Sequence, residues 1–101
     1  MYGFKKFATR AIHDGCPPEA TTGAVIPPIF ATSTYIQSSP GVHKGFDYGR
    51  SHNPTRFALE DCLASLEGGH KAFSFSSGLA AISTILEMIP ANSHIIAVDD
   101  L

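Results

Sequence analysis

The stretch NPTRFALEDCLASLEGGHKAFSFSSGLAAISTILEMIP, residues 53–90, decides the fold class. Asn53 is a favourable helix N-cap, and Pro54 fits the first helical position, where a missing N–H breaks no bond. Leu59, Cys62, Leu63 and Leu66 fall at i, i+3, i+4 and i+7, which predicts one apolar helix face. Gly68-Gly69 then stops that helix. In KAFSFSS, Phe73 and Phe75 alternate with Ser74 and Ser76, with Ala72 off phase, and this period of two reads as a strand. Ser77 and Gly78 form a turn, and a second helix is expected from about Leu79. Its stripe is Ile82, Ile85, Leu86 and Ile89, and Pro90 closes it. A last apolar run, Ile95-Ile96-Ala97-Val98, reads as a second strand ending in Asp99-Asp100. Helix, strand, helix, strand predicts an α/β fold with parallel strands covered on both faces.

Working outward toward the N-terminus, the pattern changes. Pro17-Pro18, Pro27-Pro28, Pro40-Gly41 and scattered Thr and Ser predict an irregular, extended segment with a weak apolar patch from Val25 to Phe30. Such a segment buries too little to offset its own ordering entropy. It is expected to lie across the rest of its chain or across another subunit. The chain therefore divides into an extended arm, residues 1–52, and the start of an α/β domain, residues 53–101. Two strands make a poor sheet alone, and the last run has no covering helix. The chain is accordingly expected to be the N-terminal part of a larger protein.

Composition narrows the function classes. Hydrophobic residues make up 44% of the 101 positions and charged residues 16%, ordinary values for a globular chain. The net charge of −2 gives no basic footprint for nucleic acid. No apolar run approaches the roughly 20 residues needed to span a bilayer. MYGFKKFATR has two lysines but no apolar core behind them, unlike a secretory signal. Cys16 and Cys62 lack close spacing, and His13, His43, His52, His70 and His94 lack the spacing of a metal site. Cys62 falls on the apolar face of its helix and reads as core. A cytoplasmic protein without a metal centre is the expectation.

Two features point to an anion. Ser77 and Gly78 sit between a strand and a helix, where free backbone N–H groups meet the positive end of the helix dipole. Tyr48 and Arg50, two apart in an extended stretch, leave the same face and offer a directed O–H and a planar fork of donors. Taken alone, each has a plainer explanation: a serine-capped turn, and a core tyrosine beside an arginine paired with a surface carboxylate. Neither a G-x-x-x-x-G-K-[ST] loop nor a G-x-G-x-x-G fingerprint is present. Asp99 and Asp100 close a strand, where α/β active sites gather, although a solvated strand end explains them as well.

In order and spacing, GFDYGRSHNPTR, ALEDCLASLEGG, SFSSGLAA and IIAVDDL resemble the N-terminal region of the pyridoxal-phosphate enzymes of cysteine and methionine metabolism. FATRAIHDG and AVIPPIFATSTY extend the resemblance over nearly the whole chain. Within that family, PGVHKGFDYGRSHNPTR looks closest to cystathionine γ-lyases and their synthase relatives. The resemblance implies the type I fold of pyridoxal-phosphate transferases and a γ- or β-elimination or replacement on cystathionine or a related sulfur amino acid. It implies that Ser77, Gly78 and the backbone of Leu79 hold the cofactor phosphate of their own subunit. Many members have methionine where Leu79 stands, but the contact runs through main chain. Tyr48 and Arg50 would reach the same phosphate from a neighbouring subunit of a homotetramer. The Schiff-base lysine of the family would lie downstream. Lys71 begins the strand whose other end holds Ser76, so at about 3.3 Å per residue it stands roughly 17 Å from the phosphate turn. Lys44 belongs to the arm, and Lys5 and Lys6 to the N-terminal tail. This chain alone is therefore expected to be inactive. The readings outside enzymology are a phosphate-binding α/β module and a structural assembly fragment.

Overall fold

A computed structural model describes residues 5–99, so the Asp100 end of the last apolar run lies outside the described residues. Five elements follow in order: α1 (Phe7–His13), β1 (Gln37–Ser39), β2 (Val42–His43), α2 (Pro54–Glu67) and α3 (Gly78–Glu87). Helix α2 begins and ends where its sequence signals stand. Asn53 Oδ1 accepts from the N–H groups of Thr55 (2.8 Å) and Arg56 (3.4 Å), and Gly68 closes the helix in the left-handed region at φ 68°. Helix α3 starts at Gly78 with Ser77 as its N-cap and runs ten residues.

The N-cap motif also ties the arm to α2. Thr55 Oγ1 accepts from the Phe30 N–H (2.8 Å) and donates to the Pro28 carbonyl (3.4 Å), while Asn53 Nδ2 donates to the Phe30 carbonyl (3.1 Å). A ladder of aromatic rings reinforces this join. Tyr35 and Phe46 have centroids 5.5 Å apart, Phe46 and Phe57 6.0 Å, and His52 meets Phe57 edge-on at 5.8 Å.

The arm is more structured than its composition suggests. Helix α1 has no side-chain N-cap, so propensity alone leaves it unannounced. Its docking on α2 supplies the missing stabilisation. Arg10 Nε donates to Ser65 Oγ (3.2 Å), Ser65 Oγ donates to Asp14 Oδ2 (2.5 Å), and Lys5 Nζ reaches Asp14 at 3.1 Å. The turn after α1 comes so close to α2 that only glycine fits. Gly15 has φ +76°, and a Cβ there would sit 2.6 Å from the Cys62 nitrogen. β1 and β2 form a short antiparallel hairpin, Gln37 opposite His43 and Ser39 opposite Val42.

Two sequence expectations change. The runs at 72–76 and 95–98, read as parallel strands, form no ladder, and the only sheet among the described residues is the β1–β2 hairpin. A strand exists through its neighbour, and no described segment pairs with either run. The α2 stripe is only partly covered by this chain: Leu59 stays 52% exposed and Leu63 41%, Cys62 and Leu66 are half-buried, and the buried residues of the helix are Glu60 and Ala64. Helix α1 and the Gly15 turn pack beside Ala58, Cys62 and Ser65, and Glu60 meets the 71–75 run, which leaves Leu59 and Leu63 open.

Candidate functional site

The 45–52 loop is built by its backbone. Tyr48 forms an isolated antiparallel bridge with Thr34, in which the Tyr35 N–H donates to the Asp47 carbonyl (3.1 Å) and the Gly49 N–H to the Ser33 carbonyl (2.7 Å). Gly49 must be glycine for closeness rather than dihedral freedom, because a Cβ would lie 2.6 Å from the Thr32 carbonyl oxygen. Beyond the bridge the chain turns, and the Tyr48 carbonyl accepts from the N–H groups of Ser51 (3.0 Å) and His52 (2.8 Å). Asp47 braces the turn from outside, accepting from the Tyr48 N–H (2.7 Å) and meeting His52 Nδ1 at 3.2 Å. Those two hydrogen bonds, His52 foremost, hold its carboxyl below the usual range.

Tyr48 and Arg50 stand side by side. The guanidinium carbon of Arg50 lies 5.0 Å from the Tyr48 ring centroid. Arg10 pairs with Asp14 and Arg56 with Glu60, but among the described residues the Arg50 guanidinium makes no ion pair or hydrogen bond. The surface-carboxylate explanation for Arg50 therefore fails within the described chain.

At the other candidate, Ser77, Gly78 and Leu79 form one turn at the start of α3. Ser77 Oγ accepts from the Ala80 N–H (3.1 Å) and the Ser77 carbonyl from the Ala81 N–H (3.2 Å). With its oxygen engaged as acceptor, the Ser77 O–H remains free to donate outward. As the first two helical residues, Gly78 and Leu79 have no intrahelical acceptor, and neither N–H makes another hydrogen bond among the described residues. A Cβ at Gly78 would meet nothing within 4 Å. Three outward donors around open space, at the positive end of a ten-residue helix, fit a phosphate. No hydrogen bond or ion pair among the described residues joins this turn to the Tyr48-Arg50 pair.

Sequence reasoning missed the residues between them. Arg56 Nη1 donates to the carbonyls of Gly49 (3.5 Å) and Arg50 (2.9 Å), and Nη2 to that of Ser51 (2.5 Å). Arg56 Nε stands 3.5 Å from Glu60 Oε1, which also accepts from the N–H (2.9 Å) and Oγ–H (2.8 Å) of Ser74. Burial pushes the Glu60 carboxyl up, but the Ser74 hydrogen bonds and the charges of Arg56 and Lys71 outweigh it and hold the carboxyl below its usual range. These residues border a cavity of about 300 Å³ with Arg50, Lys71 and Phe73. The i, i+4 spacing of Arg56 and Glu60 is the one sequence signal that was available. Lys71 is turned to Phe73, its Nζ 5.4 Å from the ring centroid.

Known proteins match this chain along most of its length. The cystathionine beta-lyase of Coxiella burnetii (strain RSA 493 / Nine Mile phase I) is 54% identical over 93 residues, which is 92% of this chain and 24% of that protein. A probable cystathionine gamma-synthase of Herpetosiphon aurantiacus is 54% identical over 95 residues, 94% of this chain and 30% of that one. The crystal structure of a cystathionine gamma-lyase from Lactobacillus plantarum, complexed with L-serine, superposes with a TM-score of 0.76 at 43% identity, over 89% of this chain and 23% of that one. The chain thus spans about a quarter of the length of the curated relatives it matches. It carries the start of their α/β fold. The family model described as Cys/Met metabolism PLP-dependent enzyme matches residues 8–101, and the chain belongs to that family.

Proposed function

We propose that this segment supplies the phosphate-holding parts of a pyridoxal-phosphate-dependent enzyme that eliminates or replaces the β- or γ-substituent of cystathionine or a related sulfur amino acid. The Ser77–Leu79 turn carries this reading: three donors face open space at the start of α3 and nothing in the described chain uses them. Ser77 Oγ and the N–H groups of Gly78 and Leu79 hold the phosphate of their own subunit. Tyr48 and Arg50 of a neighbouring subunit add the phenol and the guanidinium from the opposite side. When bound, the cofactor withdraws electrons from the α-carbon of the substrate. This chain contributes anchorage and orientation, and the remainder of the enzyme provides the lysine that bonds the cofactor.

In this reading residues 1–52 form an arm that completes a neighbour's site, residues 53–101 begin the large cofactor-binding domain, and the complete enzyme is a cytoplasmic homotetramer assembled from dimers. Relatives with beta-lyase, gamma-synthase and gamma-lyase names all match this segment, which supports a shared anchoring role rather than a choice among reactions.

The test strips the complete enzyme of cofactor, reloads it with pyridoxal phosphate and follows thiol release from cystathionine. One cofactor per chain with thiol release is the expected result. Uptake without turnover of any sulfur amino acid would leave a binding module, and no uptake would leave an assembly fragment.

A further inference from the structure

The Tyr48-Arg50 loop and the run that leads into the Ser77 turn are held from two neighbouring side chains of α2. Arg56 caps three successive carbonyls, those of Gly49, Arg50 and Ser51, which are the inner surface of the loop that presents Tyr48 and Arg50. One turn along α2, Glu60 is buried and grips Ser74, three residues before the Ser77 cap, by both its N–H and its hydroxyl. Arg56 and Glu60 face each other at 3.5 Å. The buried carboxylate is thus neutralised by the guanidinium that holds the loop, and removing either costs the other its ion-pair partner.

We infer that Arg56 and Glu60 are positioning residues that set the Tyr48-Arg50 loop and the approach to the Ser77 turn at a fixed offset through α2, so that the enzyme prefers a phosphorylated cofactor. This inference rests on the reading of Tyr48, Arg50 and Ser77 as phosphate contacts. In an oligomer built by twofold symmetry, a fixed offset within one chain fixes the two halves of each shared site in every chain.

The experiment compares the affinity of the complete apoenzyme for pyridoxal 5'-phosphate and for pyridoxal, which lacks the phosphate, in wild type, Arg56→Gln and Arg50→Ala. Arg56→Gln loses about tenfold for the phosphorylated ligand, as expected for charge-assisted bonds withdrawn from the loop. Its affinity for pyridoxal stays unchanged. Should Arg56→Gln fail to give soluble protein, Arg56→Lys is measured instead. It keeps the charge beside Glu60 but replaces the fork spanning three carbonyls by a single ammonium, and the same selective loss is expected. Equal losses for both ligands would mark Arg56 as a general fold contact and overturn the inference. So would an unchanged preference in Arg56→Gln beside a lost preference in Arg50→Ala, which leaves the phosphate reading standing. An unchanged preference in Arg50→Ala overturns the phosphate reading itself, and the inference with it.

Discussion

Arg50 and Arg56 carry the same charge six positions apart and are used in opposite ways. Arg56 is consumed by three carbonyls and a carboxylate, while among the described residues Arg50 has only the face of Tyr48. An arginine without an intrachain anion is suited to an external one, and its fork matches phosphate better than a phenol does. In the complete enzyme Arg50→Ala should therefore weaken pyridoxal phosphate binding by about 1.5–3 kcal/mol and Tyr48→Phe by about 1 kcal/mol. Titration of the apoenzyme checks the order, and wild-type affinity in both variants would contradict it. A different residue gives a pH prediction. The Glu19 carboxylate accepts from Thr21 N–H (2.9 Å), Thr22 N–H (2.7 Å) and Thr22 Oγ1–H (2.8 Å), which lowers its pKa from 4.5 to about 2. A depressed carboxylate stabilises its turn above pH 4.5 and loses that contribution as pH falls toward about 2. The amide shifts of Thr21 and Thr22 should therefore hold steady by NMR from neutral pH down to about 3.5, where an ordinary glutamate has largely titrated. A midpoint near 4.5 would contradict the bonded turn.

Helix α2 and its N-cap hold α1, the Phe30 segment, the 49–51 loop and the 71–75 run. Its N-cap residue has two separable tasks, since Asn53 Oδ1 caps the helix and Nδ2 holds the Phe30 carbonyl. Asn53→Ala should destabilise the folded protein by about 1 kcal/mol through the lost cap alone. Asn53→Asp keeps the acceptor and should recover most of that loss in urea unfolding. If Asp proves as damaging as Ala, the tie to Phe30 dominates and the capping account fails. Both ends of α2 were readable from Asn53-Pro54 and Gly68-Gly69, because caps are local chemistry. Helix α1 and the unpaired 72–76 and 95–98 runs were not, for a shared reason. Helix α1 depends on Ser65 and Asp14, more than fifty residues apart in sequence, and strands depend on partners that no local pattern names. The site divided in the same way. Ser77, Gly78, Tyr48 and Arg50 are candidates by type and spacing and gain a role only through the resemblance of the whole order of motifs, whereas Arg56 and Ser74 acquire meaning only when α2 brings the loop and the 71–75 run to one side of itself.

At the scale of the molecule, the described chain covers little of its own apolar surface. Its radius of gyration is 17.6 Å, against about 13 Å for a compact chain of this length. It exposes 8648 Å², against roughly 5,500 Å² for a self-contained fold of this mass. Ile29 and Ile36 on the arm, Leu79 on α3 and Ile96 near the end of the described chain all lie open. Those surfaces suit a segment that packs against further protein, and under the proposed function that protein includes a neighbouring subunit. The sharpest test of that sharing uses two inactive variants of the complete enzyme, one changed at Arg50 and one at the lysine that bonds the cofactor. In a dimer formed from one of each, one site collects both lesions and the other collects none. Unfolding and refolding the variants together, with exchange verified by differently tagged chains, should then restore up to about a quarter of wild-type activity, half the dimers being mixed with one intact site in two. If tagged mixed dimers form and no activity returns, Arg50 serves its own chain, and the account of a shared phosphate site is wrong.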